Sequence, residues 1–124
     1  MIAWFKRFFG LLVCAASLHA APLVEHTIRI HDTGSMRPLL REGDVIRVLP
    51  IPMERVREGH VIHVDPVSRP AYAHVVLRVS RAANGELCFI TKGISNSERD
   101  PIRVSEADYR GVLDVTPIKH RRKP

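Results

Sequence analysis

From Glu25 onward the pattern has a period of two, with His26, Ile28 and Ile30 alternating with Glu25, Thr27, Arg29 and His31, the spacing that a half-buried β-strand requires. The strongest predicted strand is Tyr72 to Ser80, and an Asn84-Gly85 turn leads from it into a second apolar stretch, as in a β-hairpin. No long stretch beyond residue 24 has helical periodicity. The sequence therefore predicts a mainly β domain, a small, strongly curved barrel of about six strands.

Apolar runs, with the glycines and prolines that bound them, locate the individual elements. Strands are predicted at 25–31, 44–51, 60–66, 72–80, 86–93 and 111–116. The tetrapeptide Ser-Glu-Ala-Asp at 105–108 is predicted to cap one helical turn. Gly43 and Asp44, which precede the second strand, are interpreted as a structural turn.

The uneven distribution of charge argues against nucleic-acid binding. The formal net charge is +6, but Lys6, Arg7 and four residues of the tail 119–124 supply that excess. Between residues 21 and 118, 13 basic residues balance 13 acidic ones. A nucleic-acid-binding face normally has a basic stripe within the folded part. Charges at the two ends fit a membrane surface or simple solubility better.

The uncharged run of residues 8–24 follows Lys6 and Arg7, which is the layout of an export signal. As a helix its 17 residues would span about 26 Å, somewhat less than the roughly 30 Å of a membrane's hydrocarbon layer. Cleavage after Ala20 or Ala21 would leave a large residue three positions before the cut. A cleaved signal and a retained anchor therefore both stay open, and each directs the following domain out of the cytoplasm. The predicted organisation is a signal or anchor at 1–24, a β domain at 25–118 and a basic tail at 119–124.

The cysteines and histidines give no indication of a disulfide, a metal or another cofactor. Cys14 lies in the N-terminal apolar run and Cys88 in a predicted strand, so no internal disulfide is expected. His60 and His63 are three residues apart on a predicted strand. Because successive side chains of a strand alternate between its faces, these two histidines cannot share a metal ion.

Ser35 is the most distinctive candidate for chemistry. Gly34 allows the backbone to bend sharply before it, and Pro38 restricts the backbone just after it. Such a turn would present a serine hydroxyl rigidly, as a nucleophile needs, provided that a base lies within hydrogen-bonding reach. The alternative is an ordinary turn serine without a function.

Three segments together resemble the type I signal peptidase family. The stretch TGSMRPLLREGDVIRV resembles its nucleophile motif, in which Ser-Met-x-Pro precedes Gly-Asp and an apolar strand. The stretch AYAHVVLRV resembles the strand that carries the general base, and FITKGISNSERDP resembles the Thr-Lys-Gly-Asp-Asn-Asn…Asp segment of one branch of the family. The segments occur in the order of the family, and the resemblance extends from Phe8 to about Asp114.

The resemblance implies specific roles for several residues. Ser35 corresponds to the nucleophile and His74 to the base, as in the serine–histidine branch, because the second strand has no lysine. Histidine suits this role since its ordinary pKa is close to 6.5. Asp100 corresponds to the carboxylate that orients the histidine, or else is a turn residue before a proline. Ile94 stands where the family has a further aspartate.

An oxyanion site is implied as well, with the backbone N–H of Ser35 and the hydroxyl of Thr33 as donors. An ordinary strand-end role for Thr33 is the alternative. The function implied is that of a membrane-surface serine endopeptidase that cleaves exported precursor proteins at a signal peptide, with no cofactor. The other possibility is a degenerate relative that binds peptides without cleaving them. The sequence does not specify the natural substrate or the oligomeric state.

Overall fold

The computed structural model describes residues 22–31 and 34–121. Its strands form one antiparallel, seven-stranded sheet curled into a half-barrel, which confirms the predicted mainly β, barrel-like fold. In chain order the strands are β1 (His26–Arg29), β2 (Val45–Leu49), β3 (Val61–Val64), β4 (Tyr72–Arg81), β5 (Leu87–Lys92), β6 (Val104–Ser105) and β7 (Tyr109–Leu113). Across the sheet their order is β1-β2-β7-β3-β4-β5-β6.

Two short helices accompany the sheet, a 3-10 helix at Met53–Arg55 and an α-helix, α1, at Thr116–Arg121. The sequence did not predict α1, which begins with a proline in its first turn, a favoured position for that residue. The predicted boundary between domain and tail, at residue 118, falls inside this helix. Within the described residues, no helix has the length and apolar character that a membrane span needs. The predicted signal or anchor lies outside the described residues apart from 22–24.

The prediction of a helical turn at 105–108 is wrong. These residues form the turn between β6 and β7, closed by a 3.1 Å hydrogen bond from the Asp108 N–H to the Ser105 carbonyl. Val104 before the turn and Tyr109 after it are almost fully buried. Burial of these two side chains in the sheet favours a tight reversal over a helical turn.

Two clusters of buried apolar side chains form the core. One cluster draws on β3 to β7 and includes Ile62, Val76, Phe89 and Tyr109. The other draws on the turn after Ser35, on β2, β3, β4 and β7 and on α1, and consists of Met36, Leu40, Ile46, Val48, Val61, Ala73, Leu113 and Ile118. Because Val61 and Ile62 are successive residues of β3, the two clusters lie on opposite faces of that strand. Met36 follows Ser35 and Ala73 precedes His74, so the second cluster fixes the backbone beside both predicted catalytic residues.

Candidate active site

Ser35 lies at the start of a turn that two buried side chains fix to the core. Gly34 has φ +86°, a conformation that L side chains rarely adopt, so the chain bends there as predicted. Met36 and Leu40 are buried in the second cluster, and the Leu40 N–H donates to the Met36 carbonyl at 3.0 Å. The serine is thus held between a glycine bend and an anchored helical turn.

His74 on β4 lies within hydrogen-bonding distance of Ser35. The serine Oγ is 3.1 Å from His74 Nε2, and His74 Nδ1 is 2.6 Å from Asp100 Oδ2. Since a carboxylate only accepts, Nδ1 carries the proton, and Nε2 is then the acceptor for the serine hydroxyl. The three residues that the sequence singled out therefore form one continuous chain of hydrogen bonds in the order Ser35, His74 and Asp100, an arrangement that matches the geometry of a serine–histidine–aspartate triad.

The register of β4 and β5 determines which side chains share a face with His74. Val76 on β4 lies opposite Thr91 on β5, and Val75 lies opposite Lys92. Side chains two residues apart share a face, so Thr91 lies on the same face as His74 and Val76. Lys92 points to the opposite face, which argues against a lysine base from this strand.

Asp100 follows β5 after a loop and is fixed to that strand at two points. Its N–H donates to the Thr91 carbonyl at 2.8 Å, and the Thr91 hydroxyl donates to Asp100 Oδ2 at 2.7 Å. Sequence reasoning missed Thr91. A threonine in an apolar strand is an ordinary strand former, and nothing in the pattern indicates which group its hydroxyl meets.

A loop at 93–96 holds the Ser35 turn from the other side. The Ser95 N–H donates to the Ser35 carbonyl at 2.9 Å, and the Ser95 hydroxyl donates to the Gly34 carbonyl. Gly93 lies so close that a Cβ there would stand 2.8 Å from the Cβ of Ser35. The sequence did not indicate this contact between two distant segments. Ile94, in the position of the family aspartate, is exposed in this loop.

A groove of about 360 Å³ opens over Ser35 and His74. Its walls come from the edge strand β1 and from the segment that starts β4, with Ile28, Ile30, His31, Met36, Leu40, His63, Ala71, Tyr72 and Ala73 among the lining residues. Within the described residues β1 pairs with β2 along only one of its edges.

A larger cavity of about 580 Å³ beside Asp100 is lined by residues 90, 98–101 and 103, and it reaches neither Ser35 nor His74.

The ring of Tyr72 contacts the His74 imidazole edge-on, with their centroids 4.9 Å apart. Burial raises the pKa of Tyr72, and the nearby Asp100 carboxylate adds to that effect. The phenol therefore stays neutral beside the imidazole and can restrict its motion without competing for its proton.

A second pair of imidazoles links β1 to β3 across the curl of the sheet. His26 Nε2 is 3.1 Å from His63 Nδ1, and His26 Nδ1 is 2.8 Å from the Val24 carbonyl. Because a carbonyl only accepts, His26 carries its proton on Nδ1 and accepts the Nδ1 proton of His63. Burial lowers the pKa of His63 to about 4, and the neighbouring His26 contributes.

Other sequence-based expectations have mixed outcomes. The Asp44 carboxylate accepts the Arg41 N–H at 2.8 Å, so the Gly-Asp pair forms the structural turn that was predicted. In the described part of the chain no group of three or more histidine, cysteine or acidic side chains could hold a metal ion. Thr33, the predicted oxyanion donor, lies outside the described residues, and the oxyanion role of the Ser35 N–H stays a prediction.

Comparisons with known proteins give no match to this chain, whether with models of protein families, with curated proteins or with solved structures.

Proposed function

We propose that this chain is a serine endopeptidase of the signal peptidase type, with Ser35 as nucleophile, His74 as general base and Asp100 as the orienting carboxylate. The observation that carries the proposal is the continuous chain of hydrogen bonds from Ser35 Oγ through both His74 nitrogens to Asp100 Oδ2. A serine without function in a turn has no need of an imidazole acceptor that is itself held by a carboxylate.

The reaction would proceed in two half-steps. The Ser35 Oγ attacks the scissile carbonyl carbon while His74 Nε2 takes the hydroxyl proton, and Asp100 stabilises the imidazolium that forms. The imidazolium then protonates the leaving amine, which departs as the new N-terminus of the mature protein. A water molecule, deprotonated by His74, attacks the acyl-serine ester, and the imidazolium returns the proton to Ser35 Oγ as the ester bond breaks and the other fragment is released as a carboxylic acid. The Ser35 N–H and the Thr33 hydroxyl are the proposed donors to the oxyanion.

The groove suits an extended peptide as the substrate. Its wall on β1 is the edge of the sheet, and a peptide strand could hydrogen-bond to that edge with the scissile carbonyl over Ser35. The lining next to His74 includes the small residues Ala71 and Ala73, while Arg29, His31 and His63 contribute polar groups elsewhere in the groove. By resemblance to signal peptidases, small side chains would precede the cleaved bond, and the substrates would be precursors exported across a membrane.

The proposed location is a membrane surface outside the cytoplasm. This part of the proposal rests on the basic and then apolar start of the sequence, residues 6–24. The substrate and the enzyme would then meet where an exported chain leaves the membrane.

The test is incubation of the full chain, in detergent or in vesicles, with a panel of exported precursors, followed by mass-spectrometric mapping of new N-termini. We expect cleavage after small residues by the wild type and none by Ser35→Ala. Since Ser35 is a turn residue at the groove, the melting temperature of Ser35→Ala should stay close to that of the wild type. Cleavage by purified, folded Ser35→Ala would exclude the mechanism. Peptide binding without cleavage by the wild type would favour the alternative, a binding module of the same fold.

A further inference from the structure

We infer that Thr91 is a positioning residue that holds the Asp100 carboxylate in the orientation in which it accepts the His74 Nδ1 proton. This inference rests on the proposed function. Thr91 is fully buried, with 0% of its surface exposed. Apart from the aromatic Tyr109 and from Cys88, no other buried residue among those that the structure describes has a polar or charged side chain. A hydroxyl at such a site needs a partner, because an unpaired buried polar group is destabilising. Its partner is Asp100 Oδ2 at 2.7 Å.

The central observation is which oxygen of the Asp100 carboxylate accepts these hydrogen bonds. Oδ2 is the same atom that accepts the His74 Nδ1 proton at 2.6 Å, so the hydroxyl and the imidazole donate to one oxygen from two directions. Two donors from different strands fix the rotation of the carboxylate about its side-chain bonds more strictly than one. If the hydroxyl were lost, the carboxylate could rotate, and Nδ1 would be less firmly held.

The backbone supplies a second point of attachment. The Asp100 N–H donates to the Thr91 carbonyl at 2.8 Å, so the main chain and the side chain of Thr91 both hold Asp100. The backbone bond survives any substitution at residue 91 that keeps the strand, and it leaves Asp100 near its place. Substitution therefore changes the orientation of the carboxylate rather than the position of the loop.

Two substitutions separate positioning from packing. Thr91→Val keeps the branched shape and the burial but removes the hydroxyl. Thr91→Ser keeps the hydroxyl but removes a buried methyl group and leaves a small void. A purely structural role predicts that Ser is the more damaging change, whereas a positioning role predicts that Val is the more damaging one for catalysis.

The experiment measures kcat and KM of the full chain on one cleaved precursor, together with the proton NMR signal of His74 Nδ1, which a strong hydrogen bond to a carboxylate shifts downfield. For Thr91→Val we expect kcat to fall about tenfold to hundredfold, the range for loss of a hydrogen bond to a charged group. KM should be unchanged because Thr91 does not line the groove. The downfield signal should weaken or disappear. Thr91→Ser should keep both the signal and most of kcat, while melting at a lower temperature.

A folded Thr91→Val that keeps the downfield signal and the wild-type kcat would overturn the inference. So would a folded Thr91→Ser that loses both as completely as Thr91→Val. If the wild type cleaves none of the precursors, the proposed function fails, and the Nδ1 signal of the two variants still decides whether Thr91 positions Asp100.

Discussion

Gly93 lies directly against Ser35: a Cβ at residue 93 would stand 2.8 Å from both the Cβ and the carbonyl oxygen of Ser35, and 2.7 Å from the side-chain nitrogen of Asn96. Real Cβ atoms do not approach other atoms so closely, hence only glycine fits there without displacing Ser35 or Asn96. The loop that carries Ser95 can donate to the carbonyls of the serine turn because residue 93 has no side chain.

Gly93→Ala should therefore displace the Ser35 turn and reduce the cleavage rate by at least about tenfold, since small displacements of a reacting group have large effects on rate. We also expect a loss of about 1–3 kcal/mol in the free energy of unfolding, the usual effect of overpacking. Gly85→Ala is the matched control. It carries the strain of a positive φ at a site with open space, so it should lose stability and keep the rate. Wild-type cleavage by Gly93→Ala would show that the contact does not position the serine.

His74→Ala should lower the cleavage rate by several orders of magnitude, on the scale of removing a member of a catalytic triad. Lys92→Ala should retain most of the activity, because Lys92 lies on the opposite face of the sheet from His74. Circular dichroism would establish that both variants are folded. The reverse result, an active His74→Ala and a folded but inactive Lys92→Ala, would assign the base to lysine.

Acid should destabilise the fold through His63. The folded protein holds the pKa of this imidazole at about 4, whereas in the unfolded chain it has the ordinary value of 6.5. Between these two values the unfolded state binds the proton and the folded state does not, so stability falls as the pH drops from about 6.5 towards 4. Besides His26, the charges of Asp65 and Arg110 act on His63, the first favouring protonation and the second opposing it.

The measurement is urea unfolding of the wild type and of His63→Gln at pH 7 and pH 5. Between pH 7 and pH 5 the wild type should lose about 1 kcal/mol more of its free energy of unfolding than His63→Gln does. This value is reduced for the partial exposure of the imidazole. An equal change in the free energy of unfolding of the two proteins between pH 7 and pH 5 would show that His63 does not contribute to the acid sensitivity.

Tyr109→Phe should reduce stability and leave cleavage unchanged. The buried phenol donates to the Ile51 carbonyl and belongs to the first core cluster, and Tyr109 does not line the groove over Ser35 and His74. Loss of this bond should lower the free energy of unfolding by about 1–2 kcal/mol. A fall in cleavage rate without a fall in stability would contradict the separation of Tyr109 from the site.

The longer apolar strands are the part of the fold that the sequence predicts well. The apolar stretch from Tyr72 to Ser80 and the Asn84-Gly85 turn correspond to β4 and its hairpin with β5. The two-residue β6 is too short to have a pattern, and Ile118 is the buried apolar residue of the short α1. Such elements form because the surrounding core has space for them, which local periodicity does not reveal.

The residues of the candidate site also divide into those that the sequence predicts and those that it does not. Ser35, His74 and Asp100 were chosen from motif resemblance, and the fold brings them into hydrogen-bonding distance. Thr91 and Gly93 were not chosen, since their importance lies in contacts with residues distant in sequence. Both belong to the Thr-Lys-Gly part of the third motif, but the motif does not indicate which distant groups they contact.

The order of strands in the sheet has a consequence for the synthesis of the chain. The last strand, β7, lies between β2 and β3, so it alone joins the β1–β2 ladder to the ladder of β3 to β6. Ser35 follows the first strand of one ladder, while His74 and Asp100 belong to the other. Before residues 109–113 have left the ribosome, the two ladders therefore cannot form one sheet. On the proposed function, the chain would gain the full support of its site only at the end of its synthesis.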